Sequence, residues 1–100
     1  MGNFVDIENE TVTVRVAGPY DVVTGMTVNK ELDVALLQKG CSRVIFDFKD
    51  TTYTDSSVNH QMKKIRNTVG KDNFFIINPS GRVLKALQTA KLDKVFNISY

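Results

Sequence analysis

The chain has 100 residues, one cysteine, one histidine and a formal net charge of +2, which excludes an internal disulfide and a His/Cys metal cage. Hydrophobic residues make up 42% and charged residues 24%, the composition of a globular domain that can bury one core without covalent staples. No apolar run approaches the roughly 20 residues that span a bilayer, and the N-terminus has no charged-then-apolar leader; the expectation is one domain over residues 1–100, cytoplasmic, with no membrane insertion.

Phe4-Val5-Asp6-Ile7 is a short strand candidate. Val12, Val14 and Val16 alternate with Thr13 and Arg15, the pattern of a half-buried strand. Glu8-Asn9-Glu10 suits a tight turn, so the two strands pair as a hairpin. Gly18-Pro19 breaks the pattern. Asp21 or Thr24 then caps a first helix. Val28, Leu32 and Leu36, with Ala35 beside them, make its apolar stripe, and Gly40 stands where a helix C-terminal glycine belongs.

Val44-Ile45-Phe46-Asp47-Phe48 is nearly all apolar and reads as a central strand covered on both faces. Asp55 is a good cap for a second helix, with Gly70 just past its end. Between them Val58, Met62, Ile65 and Val69 step by four, three and four, one helical face. Gln61 and Lys64 are expected to face water. Phe74-Phe75-Ile76-Ile77 reads as another buried strand. Asn78-Pro79 opens a third helix, with Asn as cap and Pro in the first turn. Val83, Leu84, Leu87 and Ala90 form its inner stripe. Val95-Phe96-Asn97-Ile98 closes as a short strand. The fold class is α/β: a small mixed β-sheet with helices packed on it, in the order β-β-α-β-α-β-α-β.

Charge is divided along the chain. Residues 1–50 hold eight acidic and five basic side chains, and residues 51–100 hold three and eight. Such a split marks either an acidic partner or the solvated outer faces of helices. No Gly-rich RNA motif or aromatic-basic alternation accompanies it, so direct nucleic-acid binding is not expected.

One segment stands apart: Asp47 to Ser57, running from the end of the central strand into the second helix. In open α/β sheets ligands and partners are met at that edge. Ser56 and Ser57 fall in the first helical turn, where unpaired backbone N–H groups and the helix dipole welcome a phosphate. Phosphorylation there adds about −1.5 to −2 charge without unfolding the helix. The plainer reading is that Asp55, Ser56 and Ser57 only cap the helix. A rival is a hydrolase using Ser57 and His60, three residues apart on one flank. It lacks an evident oxyanion hole or orienting group.

At these residues the sequence resembles the STAS family, named for sulphate transporters and anti-sigma factor antagonists. The family has a strand ending in Asp, a short loop, then Asp-Ser-Ser/Thr-Gly opening a helix. Here Val44-Ile45-Phe46-Asp47-Phe48 is followed by Asp55-Ser56-Ser57-Val58. Val16-Ala17-Gly18, Phe75-Ile76-Ile77-Asn78-Pro79-Ser80 and Leu92-Asp93-Lys94-Val95-Phe96 resemble further family segments in the right order.

The resemblance implies a phosphorylation-switched binding module, not an enzyme, with no cofactor. It implies an anti-sigma factor that is also a serine kinase as partner, bound when the chain is unphosphorylated. By position, Ser57 is the phosphoacceptor. Asp55, Ser56, Val58, Asn59, Gln61 and Lys64 are the expected supporting and partner surface. One position departs: Val58 replaces the Gly after the acceptor, and glycine permits close backbone approach. The polar Asn59-His60-Gln61 follows. The family also includes adaptor subunits of transport and stress-signalling complexes, the alternative reading, in which Ser57 is structural.

Overall fold

A computed structural model describes residues 3–100. Strand β1 (Asn3–Glu8) pairs antiparallel with β2 (Thr11–Val16) around a tight turn. Asn9 takes that turn at φ 58°, a conformation Asn tolerates. β2 is followed by a three-residue strand, β3 (Gly18–Tyr20). Helix α1 (Val22–Asp33) comes next and runs on into a π-helical turn over Val34–Gln38. The remaining elements are β4 (Arg43–Asp47), β5 (Thr51–Thr54), α2 (Ser56–Val69), β6 (Phe74–Ile77), α3 (Gly81–Thr89) and β7 (Asn97–Ser99).

The main sheet has the order β1-β2-β4-β6-β7, and β2, β4, β6 and β7 are parallel. The chain therefore crosses the sheet in one direction. Right-handed crossovers all fall on the same face under that condition, so α1, α2 and α3 form one layer. This corrects the expectation for β4. Val44 and Phe46 are buried towards the helices, but Ile45 on the other face is only half-buried. Phe75 and Ile77 of β6 share that half-covered face, where the Arg43 guanidinium lies 5.7 Å from the Phe75 ring centre.

The two short strands add a second, parallel sheet to the expected order. Gly18 did break the run, as its φ of 87° shows, but the chain resumes as β3 at once. Three- and four-residue strands are too short to display alternation, and β3 meets β5 from more than 30 residues away. Thr51 Oγ donates to the Val16 carbonyl at 2.6 Å, and the Gly18 amide to the Asp50 carbonyl at 3.0 Å.

Aromatic rings fill the core behind β4. Phe46 lies 6.0 Å from Tyr20, 5.8 Å from Phe48 and 5.5 Å from Phe74, centre to centre. α1 buries Val28 and Leu32 and the π-helical turn buries Ala35, as the stripe predicts, while Leu36 is only half-buried; α1 is capped by Asp21, which accepts from the Thr24 amide at 3.0 Å. α3 buries Val83 and Leu87, whereas Ala90 lies past its end and is exposed. The cap of α3 is Ser80, whose hydroxyl accepts from the Val83 amide. Asn78 is held elsewhere, at φ 53° with its amide on Asp47.

The α2 phase is as the spacing predicts: Val58, Met62 and Ile65 are buried and Val69 is half-buried. Met62→Ala should cost about 2–5 kcal/mol as a core truncation. Lys64→Ala, on the exposed side, should stay within about 0.5 kcal/mol. Denaturant titration giving equal losses for the two would overturn this phase.

Candidate functional site

Asp47 ends β4 and is buried, which a carboxylate tolerates only when its oxygens are satisfied. One oxygen faces Arg15 Nε of β2 at 3.3 Å. The other accepts from the Lys49 amide at 3.0 Å and from Asn78 Nδ2 at 3.3 Å. The strand-ending Asp is thus a clamp joining β2, β4 and the turn after β6. Downstream, Ser80 Oγ donates to the Thr51 carbonyl at 3.1 Å. Residues 47–54 are pinned at both ends and deliver Asp55 to the start of α2.

Asp55 sits in extended backbone and caps the helix. Its Oδ1 accepts from the Ser57 amide at 3.0 Å, the Val58 amide at 3.2 Å and the Ser57 hydroxyl at 2.6 Å. The Ser57 hydroxyl bond is the main cause that holds the Asp55 carboxyl below its ordinary value; burial opposes it, and the backbone amides add to the lowering. The amide of Val22, at the start of α1, contributes to the same carboxylate. The two helices therefore begin side by side.

The Ser57 hydroxyl is exposed and gives its proton to Asp55 rather than to His60. A carboxylate whose pKa is held below its ordinary value is a poor general base, because it binds a proton only well below neutral pH. The geometry thus gives Ser57 an exposed hydroxyl whose proton, among the described residues, is held by Asp55.

A depressed carboxyl contributes stability above its unfolded value, and that stability is lost as pH falls through the folded value. Asp55→Ala should therefore cost about 0.5–2 kcal/mol at pH 7, the usual loss for a missing cap. The gap to wild type should begin to shrink as the pH falls through the unfolded carboxyl value of about 4 and go on shrinking through the lower folded value of Asp55. Thermal melts at pH 7 and pH 3 check this; an undiminished gap at pH 3 would count against the charged cap.

The other expected site residues divide. Ser56 and Lys64 are exposed, and Asn59 and Gln61 are half-buried. Val58 is 1% exposed, so its side chain is core and not partner surface. The reason lies on α1. A Cβ placed on Gly25 would come within 3.1 Å of Val58 Cγ1 and 2.7 Å of Gln61 Oε1. The glycine absent after Ser57 is matched by one on the facing helix, where the valine needs room. Gln61 does not face water freely, since its Nε2 donates to the Gly25 carbonyl at 2.8 Å.

Sequence reasoning missed one set of residues. Val22 and Met26 of α1 line a groove of about 290 Å³ with Ser57, His60 and Lys64 of α2. Val22 is 54% and Met26 62% exposed. The available signal was the i, i+4 spacing of two aliphatic residues outside the Val28-Leu32 stripe.

Residues 5–100 match the family model for the STAS domain. No curated protein sequence matches the chain. Among solved structures, an anti-sigma factor antagonist from Mycobacterium paratuberculosis superposes with a TM-score of 0.80 at 17% identity, covering 97% of this chain and 83% of that one. The anti-sigma factor antagonist SpoIIAA in its unphosphorylated form gives 0.77 at 21% identity, with 99% and 89% covered. The phosphorylated form of the Bacillus cell fate determinant SpoIIAA gives 0.70 at 21% identity, with 99% and 92% covered. At such identities these likenesses establish the fold.

Proposed function

The chain belongs to the STAS domain family, and from that premise we propose that it is an anti-sigma factor antagonist switched by phosphorylation of Ser57. STAS domains are binding domains and not enzymes, so chemistry at Ser57 is done to this chain by another protein. The observation that carries the reading is the Ser57 hydroxyl itself, exposed in the first turn of α2 and oriented by the capping Asp55. The unphosphorylated chain binds an anti-sigma factor that is also its serine kinase. Kinase action moves the γ-phosphoryl group of ATP onto Ser57 Oγ, releases ADP and removes the hydroxyl proton. Phosphate then blocks the binding.

That proton is the one donated to Asp55. Its loss turns a 2.6 Å hydrogen bond into a contact between like charges, so the phosphorylated side chain turns away from Asp55. The helix N-terminus still accommodates the negative charge, and the switch alters the surface rather than the fold. The inward position of Val58 supports this reading over the adaptor alternative. The missing glycine leaves no side chain in a partner's way.

Incubation with the cognate serine kinase and ATP, followed by mass spectrometry of peptides, tests the reading. One phosphate on Ser57 is expected. Phosphate on Ser56, or none, would favour the adaptor role.

A further inference from the structure

We infer that the groove between α1 and α2 receives an amphipathic, acidic segment of the protein partner, and that a phosphate on Ser57 competes with that segment for Lys64 on the groove's α2 wall. The inference rests on the reading of Ser57 as the switched residue. Its first support is the unequal walls. The α1 wall presents Val22 and Met26, four residues apart, more than half exposed. The α2 wall presents Ser57, His60 and Lys64, spaced by three and four along one helical flank. An occupant must lay aliphatic side chains on α1 and offer negative charge to α2.

The second support is the way the helices meet. They touch at Gly25, where Val58 and Gln61 press against the backbone, so the groove has a rigid floor. Among the described residues lining this upper part none is a carboxylate, and Asp55 stands just outside it, held against Ser57 and the Val22 amide. Asp33 appears only further along the same seam, beyond Asn29 and Lys64. Aliphatic surface beside the Lys64 ammonium fits a helix or strand carrying both apolar and acidic residues.

The third support is Ser57 itself. Its side chain lies at the mouth of the groove, and after phosphorylation it cannot stay against Asp55. The phosphate then shares the groove with Lys64, the cation a partner's carboxylate would use. Blocking thus works by drawing on Lys64 as well as by adding charge.

Binding to the purified anti-sigma factor kinase, measured calorimetrically at two salt concentrations, tests the inference. Met26→Asp should weaken binding at least tenfold while the melting temperature stays near wild type, because the side chain is exposed. Lys64→Glu should weaken it severalfold and flatten its salt dependence. Leu37→Asp, on the far end of the α1 segment and 82% exposed, should bind as wild type does. Phosphorylation of Ser57, read by mass spectrometry, separates the two claims. Ser57 modified and wild-type binding retained by Met26→Asp would remove the groove but keep the switch. Neither binding nor phosphorylation of the wild type would remove both. Self-association of the chain alone in sedimentation, abolished by Met26→Asp, would give the groove to a second copy and overturn the inference.

Discussion

Phe46→Ala should destabilise the protein by about 3–5 kcal/mol, the usual cost of emptying a buried aromatic site. The ring is fully buried and contacts Tyr20, Phe48 and Phe74. These come from β3, the residue just past β4, and β6, so no single element can collapse into the void. A domain of this size has about 5–15 kcal/mol in total, so much of its stability goes with this side chain. Phe75→Ala is the control, because Phe75 is half-buried on the open face of the same sheet. Its cost should be clearly smaller. Urea titration compares the two; equal losses would mean that the open face is covered and the one-layer arrangement wrong.

Ser57→Asp should lose partner binding by at least tenfold while its melting temperature shifts by only a few degrees. An acidic residue in a first helical turn is favourable by about 0.3–1 kcal/mol. Repulsion from Asp55, whose oxygen lies 2.6 Å from the present hydroxyl, opposes that gain. The fold therefore changes little. A partner pressed on this surface must desolvate a charge with no counterpart, which costs several kcal/mol, and each 1.4 kcal/mol is tenfold in affinity. Ser57→Ala should still bind but resist the kinase. Ser56→Ala should remain a kinase substrate. Undiminished binding by Ser57→Asp would sink the switch.

The asymmetry between these two sites explains what a sequence can disclose here. Helix α2 was readable because its cap and its buried face lie within a few residues of one another. Asp55 meets Ser57 and Val58, and Val58, Met62 and Ile65 recur at helical spacing. The same holds for the β1–β2 hairpin and for the apolar runs of β4 and β6. The resemblance to ordered STAS motifs puts Ser57 in the first turn of α2, and α2 begins at Ser56.

Tertiary structure decided what depends on distant partners. Thr51 meets Val16 across 35 positions, Gln61 meets Gly25 across 36, and Asn78 meets Asp47 across 31. Each of these residues has a local reading: a loop threonine, a surface glutamine, a helix cap. The local reading lost for Gln61 and Asn78, and Ser80 took the vacant capping role. Val58 stands between the two cases: its helical spacing already put it on the buried face, but only the facing Gly25 shows what makes room for it there. Periodicity and capping act between near neighbours and are written in the order of residues. Which helix flank lies open beside Ser57 is set by where α1 and α2 touch, and that contact exists only once the sheet has brought them together.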